Sequence, residues 1–348
     1  MINNKHIVII TPGFPADEND FLTIPPLQGF LKSFRASFPL SKITVLAFQY
    51  PYQIKKYNWH GIKVISFAGK NKSVTKPMLW RRIIKEAKII NEEESFTIIH
   101  SLWLGECAMI GKILSKKFNC AHVCTLMGQD VKSTNKYLRL LKNKKIKIVA
   151  LSKNQSNQFF NLTNKNADEI IHWGIDDIPV SNCERDVDLL AVGSLLPLKN
   201  YSLFIKLVEK IKPINPDIKC ILTGTGPEEL SLKQLAKEKG LEKNINFTGI
   251  LNRSEIFKLM QRSKIFIHPS KFESAGYVFA EALVNGLNIV SFNVGYAQPY
   301  HKWFIAGDEE DFINITLNLL ASNLDFSAVN PFPLAETVNR YASLYELG

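Results

Sequence analysis

The chain has 348 residues, of which 46% are hydrophobic and 22% charged, and carries a net charge of +11. That length is more than one ordinary domain needs and suits two, each with a core of its own. No run of about eighteen apolar residues is present, which excludes a helix spanning a bilayer. The first residues, MINNKHIVIITPGFP, enter a strand pattern at once. They lack the basic, apolar and small-residue regions of a secretory leader, so a cytoplasmic protein is expected. Five cysteines show neither C-x-x-C nor zinc spacing and read as small buried hydrophobes in a reducing compartment. The charge is uneven: residues 1–180 hold 26 Lys and Arg against 13 Asp and Glu, a balance of +13, and the remainder is −2. Such asymmetry predicts an anionic partner, or a lysine-rich solvated surface, for the first half.

In chain order, short apolar, β-branched runs alternate with longer helical patterns. Strands are predicted at residues 6–11, 43–48, 62–67, 96–101, 122–127 and 146–152. The series restarts at residues 188–193, 218–224, 245–249, 265–269 and 288–292, with helices such as 201–212 and 228–239 between them. Runs that are apolar throughout predict strands buried on both faces. Strand–helix alternation predicts parallel, doubly wound sheets. The expected fold class is therefore α/β, with two Rossmann-like domains, residues 1–175 and 186–330, facing across a cleft. The polar, proline-containing segment 175–188 separates them. Residues 331–348 read as a proline break and an amphipathic helix that packs back on the first domain.

Open α/β sheets bind ligands at the carboxyl ends of their strands, so the loops there carry the functional argument. In LLAVGSLLPLKNYSLF, Gly193 permits a tight turn and Lys199 precedes a helix, within reach of an anionic group. In LTGTGPEEL, Gly224 and Gly226 allow close backbone approach, and Pro227-Glu228-Glu229 reads as a first helical turn. No Gly-Lys-Ser/Thr follows, so this is not a Walker loop. The stretch HPSKFESAGYVFAEALVNG places Glu273 and Glu281 around a patch of small residues. Ser274 is the expected helix cap. It would leave the amides of Gly276, Tyr277 and Val278 for an anion, with Ala275 and Gly276 small enough for a ligand to lie against the backbone. Glu281, one turn beyond Tyr277, suits a vicinal diol such as a ribose.

These residues resemble the retaining glycosyltransferases of family four, which have the GT-B fold; the resemblance covers nearly all of the chain. The spacing Glu273-x7-Glu281 is similar to that family's glutamate pair. VGSLLPLKN, TGTGPEE, FTGIL and TLMGQDV are similar to its phosphate, donor and first-domain loops. The resemblance implies that Glu281 binds ribose and that Lys199, Gly193, Ser194 and Gly224 meet the diphosphate, helped by the amides of Gly276 to Val278. It implies that Glu273 is the catalytic contact to the donor sugar, and that Gly249, Ile250 and Leu251 lie by the base. Gly13, Phe14, Met127 and Asp130 would face the acceptor. Ser194 stands where the family has arginine, and Met127 where it has histidine. The implied co-substrate is a nucleoside diphosphate sugar with UDP or GDP. The implied acceptor is a glycan or lipid-linked molecule in bacterial surface polysaccharide synthesis, and neither metal nor other cofactor is implied.

Asp186 and Asp188 mimic a metal-binding D-x-D at a strand start, away from the ligand end. His100, Trp103 and His268 read as packing residues, and the seven histidines show no metal spacing. In KPMLWRRIIKEAK, Leu79, Ile83 and Ile84 form an apolar side flanked by Trp80, Arg81, Arg82, Lys85 and Lys88, which suits an anionic membrane surface or simply a core. A sugar-nucleotide epimerase and a non-catalytic nucleotide-binding partner subunit remain alternatives. Nucleic-acid binding has no motif behind it.

Overall fold

The computed structural model describes residues 5–72, 76–128, 130–141, 146–180 and 183–347. Residues 181–182 of the predicted boundary segment and Gln129 of the 125–131 segment lie outside them. The chain divides into two compact units: Met1–Gly174 with Phe332–Gly348, and Ile175–Pro331.

The first unit runs β1 (His6–Gly13), α1 (Pro25–Ser37), β2 (Lys42–Tyr50), β3 (Lys55–Trp59), β4 (Ile62–Ser66), α2 (Lys76–Glu93), β5 (Ile98–Leu102) and α3 (Glu106–Phe118). It continues through β6 (Ala121–Thr125), α4 (Lys136–Leu141), β7 (Lys147–Ala150), α5 (Lys153–Thr163) and β8 (Glu169–Ile170). These strands form one sheet in the order β3-β4-β2-β1-β5-β6-β7-β8. The central strand β1 is buried along Ile7–Ile10, as its unbroken apolar run requires. The sheet is not wholly parallel as expected. β3 pairs antiparallel with β4, a tight hairpin turning at His60-Gly61. Neither β3 nor the two-residue β8 was legible, because KKYNW, on an edge, has three polar residues and no apolar run, and β8 is too short to show a period.

In α2, Leu79, Ile83, Ala87 and Ile90 are buried, and Trp80 and Ile84 pack against the same core. The apolar side expected to be available to a membrane is thus core; Arg81, Arg82, Lys85 and Lys88 form the exposed side. His100 is fully buried, with Thr125 Oγ1 2.7 Å from its Nε2 and the Tyr345 hydroxyl on its Nδ1.

The second unit runs β9 (Val187–Val192), α6 (Tyr201–Ile211), β10 (Cys220–Thr223), α7 (Glu229–Glu238), β11 (Ile245–Gly249) and α8 (Arg253–Gln261). Then follow β12 (Ser263–His268), α9 (Tyr277–Val284), β13 (Asn288–Phe292), β14 (Trp303–Ala306) and α10 (Glu309–Leu320). Its sheet, in the order β11-β10-β9-β12-β13-β14, is parallel throughout. The chain builds outward from β9 to β11, then crosses to the other side of β9 to lay down β12. The order reverses between β9 and β12, and a crevice opens beyond the carboxyl ends of strands at such a reversal. The last helix, α11 (Leu334–Leu344), belongs to the first unit, where it packs on α1 through Tyr341 against Phe30.

Among the described residues, no helix is long and apolar enough to cross a membrane.

Candidate functional site

The loops that leave β9 and β12 meet beside that reversal. After β9 the chain makes one 3-10 turn, Pro197–Lys199, whose last residue carries the lysine. The loop after β12 is laced to it: Lys271 donates its amide to the Leu198 carbonyl at 2.9 Å, and the Ser270 hydroxyl donates to the same oxygen at 3.2 Å. This lacing brings Lys199 Nζ onto Glu273 Oε1 in a close ion pair. His268, the last residue of β12, reaches the same oxygen through Nε2 at 2.8 Å.

Both partners of the ion pair are largely buried; 17% of the Lys199 side chain and 14% of that of Glu273 remain exposed. Burial pushes the Glu273 carboxyl up, but His268 and Lys199 together outweigh it and hold it down at about 2. Burial also holds His268 below its ordinary value. At neutral pH the imidazole is therefore neutral and donates Nε2–H, and Lys199 is the cation. His268 Nδ1 is then a buried acceptor that meets no partner among the described residues. Because the folded value of Glu273 lies below the ordinary one, its stabilising contribution is present above the carboxylate range and is lost as pH falls toward about 2. His268 was expected to be a packing residue. Its rings do stack, against Phe266 and edge-on to Phe279, but its Nε2 also orients the carboxylate. Strand-end position alone carried no signal for that.

Glu281 lies on α9 and is engaged by Arg253, whose Nε is 3.1 Å from Glu281 Oε1. Burial pushes this carboxyl up and Arg253 opposes the rise. Arg253 also donates Nη2–H to the Tyr277 hydroxyl at 3.3 Å. Arg253 was not anticipated. It opens α8, just after the Gly249 loop, and nothing in the spacing from residue 253 to 281 announces a contact.

Several local expectations are corrected. Ser274 does not cap α9: the cap is Gly276 at φ 72°, and no side chain supplies a capping hydrogen bond. A Cβ at Gly276 would sit 2.5 Å from the Phe279 ring, and one at Gly295 would sit 2.3 Å from the Ala275 carbonyl. Both glycines are thus held in close protein packing. Pro227 and Glu228 form a turn ahead of α7, which begins at Glu229. Gly224 is required by its neighbour loop, since a Cβ there would lie 1.9 Å from the Gly193 carbonyl oxygen. Ser194 shares that loop. Gly249, at φ 71°, has open space where a Cβ would go, and the following Ile250 is exposed while Leu251 is half-buried. Val278 is half-buried. Asp186 pairs with Arg262 and Asp188 with Lys264 at 2.7 Å, so both acids of the D-x-D mimic are engaged.

In the first unit, Gly13 ends β1 opposite Tyr50. Phe14, expected to face an acceptor, is fully buried edge-on against Trp59, so it supports the loop rather than presenting a surface. The Asp130 carboxylate accepts from the amides of Leu104 at 2.8 Å, Met127 at 3.1 Å and Gly128 at 2.8 Å. It ties the loops after β5 and β6 together. Met127 itself is half-buried.

Residues 177–302 match the family of group 1 glycosyl transferases. That span holds Lys199, Arg253, His268, Glu273 and Glu281. Among curated proteins, the chain is 28% identical over 142 residues to the gpi3 subunit of phosphatidylinositol N-acetylglucosaminyltransferase from Schizosaccharomyces pombe. This alignment covers 40% of the chain and 31% of that protein. An uncharacterised glycosyltransferase of Haemophilus influenzae is 30% identical over 145 residues, 41% of this chain and 40% of the relative. The chain therefore aligns with less than half the length of either. Among solved structures, HepE from Anabaena in complex with UDP and glucose superposes with a TM-score of 0.74 at 18% identity. The match covers 99% of this chain and 100% of that one. The shared architecture is the GT-B fold of glycosyltransferases, with two Rossmann-like domains.

Proposed function

We propose that the protein is a retaining glycosyltransferase that moves a hexosyl group from a nucleoside diphosphate sugar, with UDP or GDP, to a glycan or lipid-linked acceptor in bacterial surface polysaccharide synthesis. The observation that carries the reading is the meeting of Lys199 with Glu273 at the reversal of strand order. A cation and an ionised carboxylate meet there, and sheets of this kind bind ligands at such a reversal; both residues fall inside the span that matches group 1 glycosyl transferases, which supports the reading. HepE, of the same fold, is known with UDP and glucose bound. In the reaction the bond from the anomeric carbon to the diphosphate oxygen breaks and the diphosphate keeps the electron pair; an acceptor hydroxyl oxygen takes its place on the carbon and passes its proton to the departing diphosphate oxygen. Lys199 stabilises the departing charge. Glu273, ionised at any working pH, contacts sugar hydroxyls and does not act as an acid. Glu281 accepts from the ribose, and the open space beside Gly249 and Ile250 receives the base.

The test is a melting series with UDP, GDP, ADP and dTDP and their sugars. A true ligand raises the midpoint, by about 2.7 kcal/mol of stability at a hundredfold excess over Kd. If none of the nucleotides shifts it, the reading fails. Glu281→Gln is expected to weaken the binding of the selected diphosphate about tenfold, as loss of a charged hydrogen bond does. Calorimetric titration of a folded variant with unchanged affinity would remove Glu281 from the nucleotide site. Ser194, standing where the resemblance has arginine, favours a second reading, a non-catalytic nucleotide-binding subunit; a product assay on the protein that binds nucleotide separates the two.

The same proposal includes peripheral contact with an anionic membrane at the inner face. Support comes from a groove of about 430 Å³ in the first unit. Tyr52, Ile54 and Met78 line it while each remaining more than 60% exposed. Lys70, Lys72 and Arg82 rim it, and Arg81, Lys85 and Lys88 continue the basic face along α2. Exposed apolar groups among cations suit a charged interface, and each cation near such a surface contributes about 1 kcal/mol. Co-sedimentation with anionic vesicles at low salt, lost at high salt and absent with neutral vesicles, is the expected result. Equal behaviour with both vesicle types would refute the contact.

A further inference from the structure

Arg253 occupies a position that its own helix disfavours. It is the first residue of α8, where the helix dipole is positive and the capping box of Asn252 and Glu255 already serves the free amides. A cation there needs a reason elsewhere. The guanidinium turns across to α9: Nε meets Glu281 Oε1, Nη2 meets the Tyr277 hydroxyl, and Cζ lies 5.0 Å from the Phe257 ring centroid and 5.6 Å from that of Tyr277. The Phe257 ring and the Tyr277 phenol thus fix the arginine, and the arginine fixes one carboxylate oxygen. Glu281 Oε2 accepts no hydrogen bond among the described residues.

We propose that Arg253 is a positioning residue for the Glu281 carboxylate, holding Oε1 and the charge so that Oε2 accepts from a ribose hydroxyl. This rests on the reading of Glu281 as the ribose contact. An arginine suits the task because it stays ionised and presents several donors in a fixed plane. One set of donors holds the carboxylate while another is tied to Tyr277, so the carboxylate cannot swing with the arginine. Without it, Glu281 is a buried carboxylate with no cation beside it, and burial favours its neutral form. The other groups facing this cluster are the Tyr277 phenol on α9 and Asp176, on the segment before β9, whose charge acts on that phenol. Neither supplies a cation.

The experiment compares wild type, Arg253→Gln and Arg253→Lys for binding of UDP, 2′-deoxy-UDP and 3′-deoxy-UDP by calorimetry. Wild type is expected to prefer UDP over at least one deoxy analogue by about tenfold, the worth of one hydrogen bond to a charged group. Arg253→Gln should lose that preference by weakening UDP while leaving the affected analogue unchanged, and Arg253→Lys should fall between. Equal loss for all three ligands would mark Arg253 as a general scaffold or phosphate contact and overturn the proposal, as would wild-type discrimination in Arg253→Gln. A ligand-free arm separates this from failure of the nucleotide reading. With glutamate labelled at the side-chain carboxyl carbon, the Glu281 signal is assigned by its loss in Glu281→Gln. It should titrate at higher pH in Arg253→Gln than in wild type. If it titrates at the same pH, Arg253 does not govern the carboxylate, whatever the nucleotide experiments show. If it moves but no nucleotide binds wild type, the nucleotide reading fails while the governing contact stands.

Discussion

Glu273→Ala is expected to lower turnover by about 10²- to 10³-fold, the cost of removing one well-placed electrostatic group from a reaction centre, while the affinity for free UDP stays level or rises. The two directions follow from one contact. Lys199 pairs with Glu273, so on the proposed reading a diphosphate competes with that carboxylate for the lysine. Deleting the carboxylate frees the cation for the phosphate. The same deletion removes the group assigned to the sugar, and that loss appears in kcat rather than in nucleotide binding. Glu273→Gln keeps the shape and an acceptor for the His268 Nε2–H, so it isolates the charge. The carboxyl held at about 2 also sets a condition on pH: its titration contributes no limb to the rate profile in the neutral range. Calorimetry with UDP and steady-state rates on the same samples check all of this. A parallel fall in turnover and UDP affinity would place Glu273 in ground-state binding and remove it from the chemistry.

Much of this site was legible because its parts are short in sequence or repeat a strand–loop–helix plan. The apolar runs at residues 188–193 and 265–269 announce buried parallel strands, and a parallel sheet directs attention to the loops at their carboxyl ends. Lys199, Glu273 and Glu281 all lie in or just after such loops. What was not legible depends on pairing between distant segments. The reversal between β9 and β12 brings Lys199 to Glu273, a separation no local period encodes. Arg253 reaches Glu281 from a different helix. Ser274 looked like a cap because serine before an apolar helical run usually is one, but the chain turns at Gly276 through a left-handed residue instead. Phe14 looked like part of a presenting loop, and the β3 hairpin, which brings Trp59 over it, carried no apolar run to reveal itself. In each case tertiary contact decided among conformations that the local sequence left equally open.

The glycines make the same point in energetic terms, and they yield a sharp contrast. Gly224→Ala is expected to destabilise the second unit by about 3 kcal/mol, the sum of overpacking and backbone strain. The residue has φ 134°, and the added carbon would lie 1.9 Å from the Gly193 carbonyl oxygen and 2.9 Å from its carbon. Both obstacles are backbone, so no rotamer change relieves them. The loop after β9 must move, and with it the turn that carries Lys199. Gly249→Ala is the control. Its φ of 71° is equally unfriendly to a side chain, but nothing stands within 4 Å of the new carbon, so only the left-handed cost of about 1–2 kcal/mol applies. For a unit of this size, 1 kcal/mol corresponds to roughly 2–4 °C in midpoint. Gly224→Ala is therefore expected to melt well below Gly249→Ala, and to lose UDP affinity as Lys199 is displaced. Thermal unfolding of the two variants, followed by titration below both midpoints, checks the argument. Equal midpoints would mean that the loops after β9 and β10 are not held against each other by that close backbone approach, and that Gly224 is present for its conformation alone.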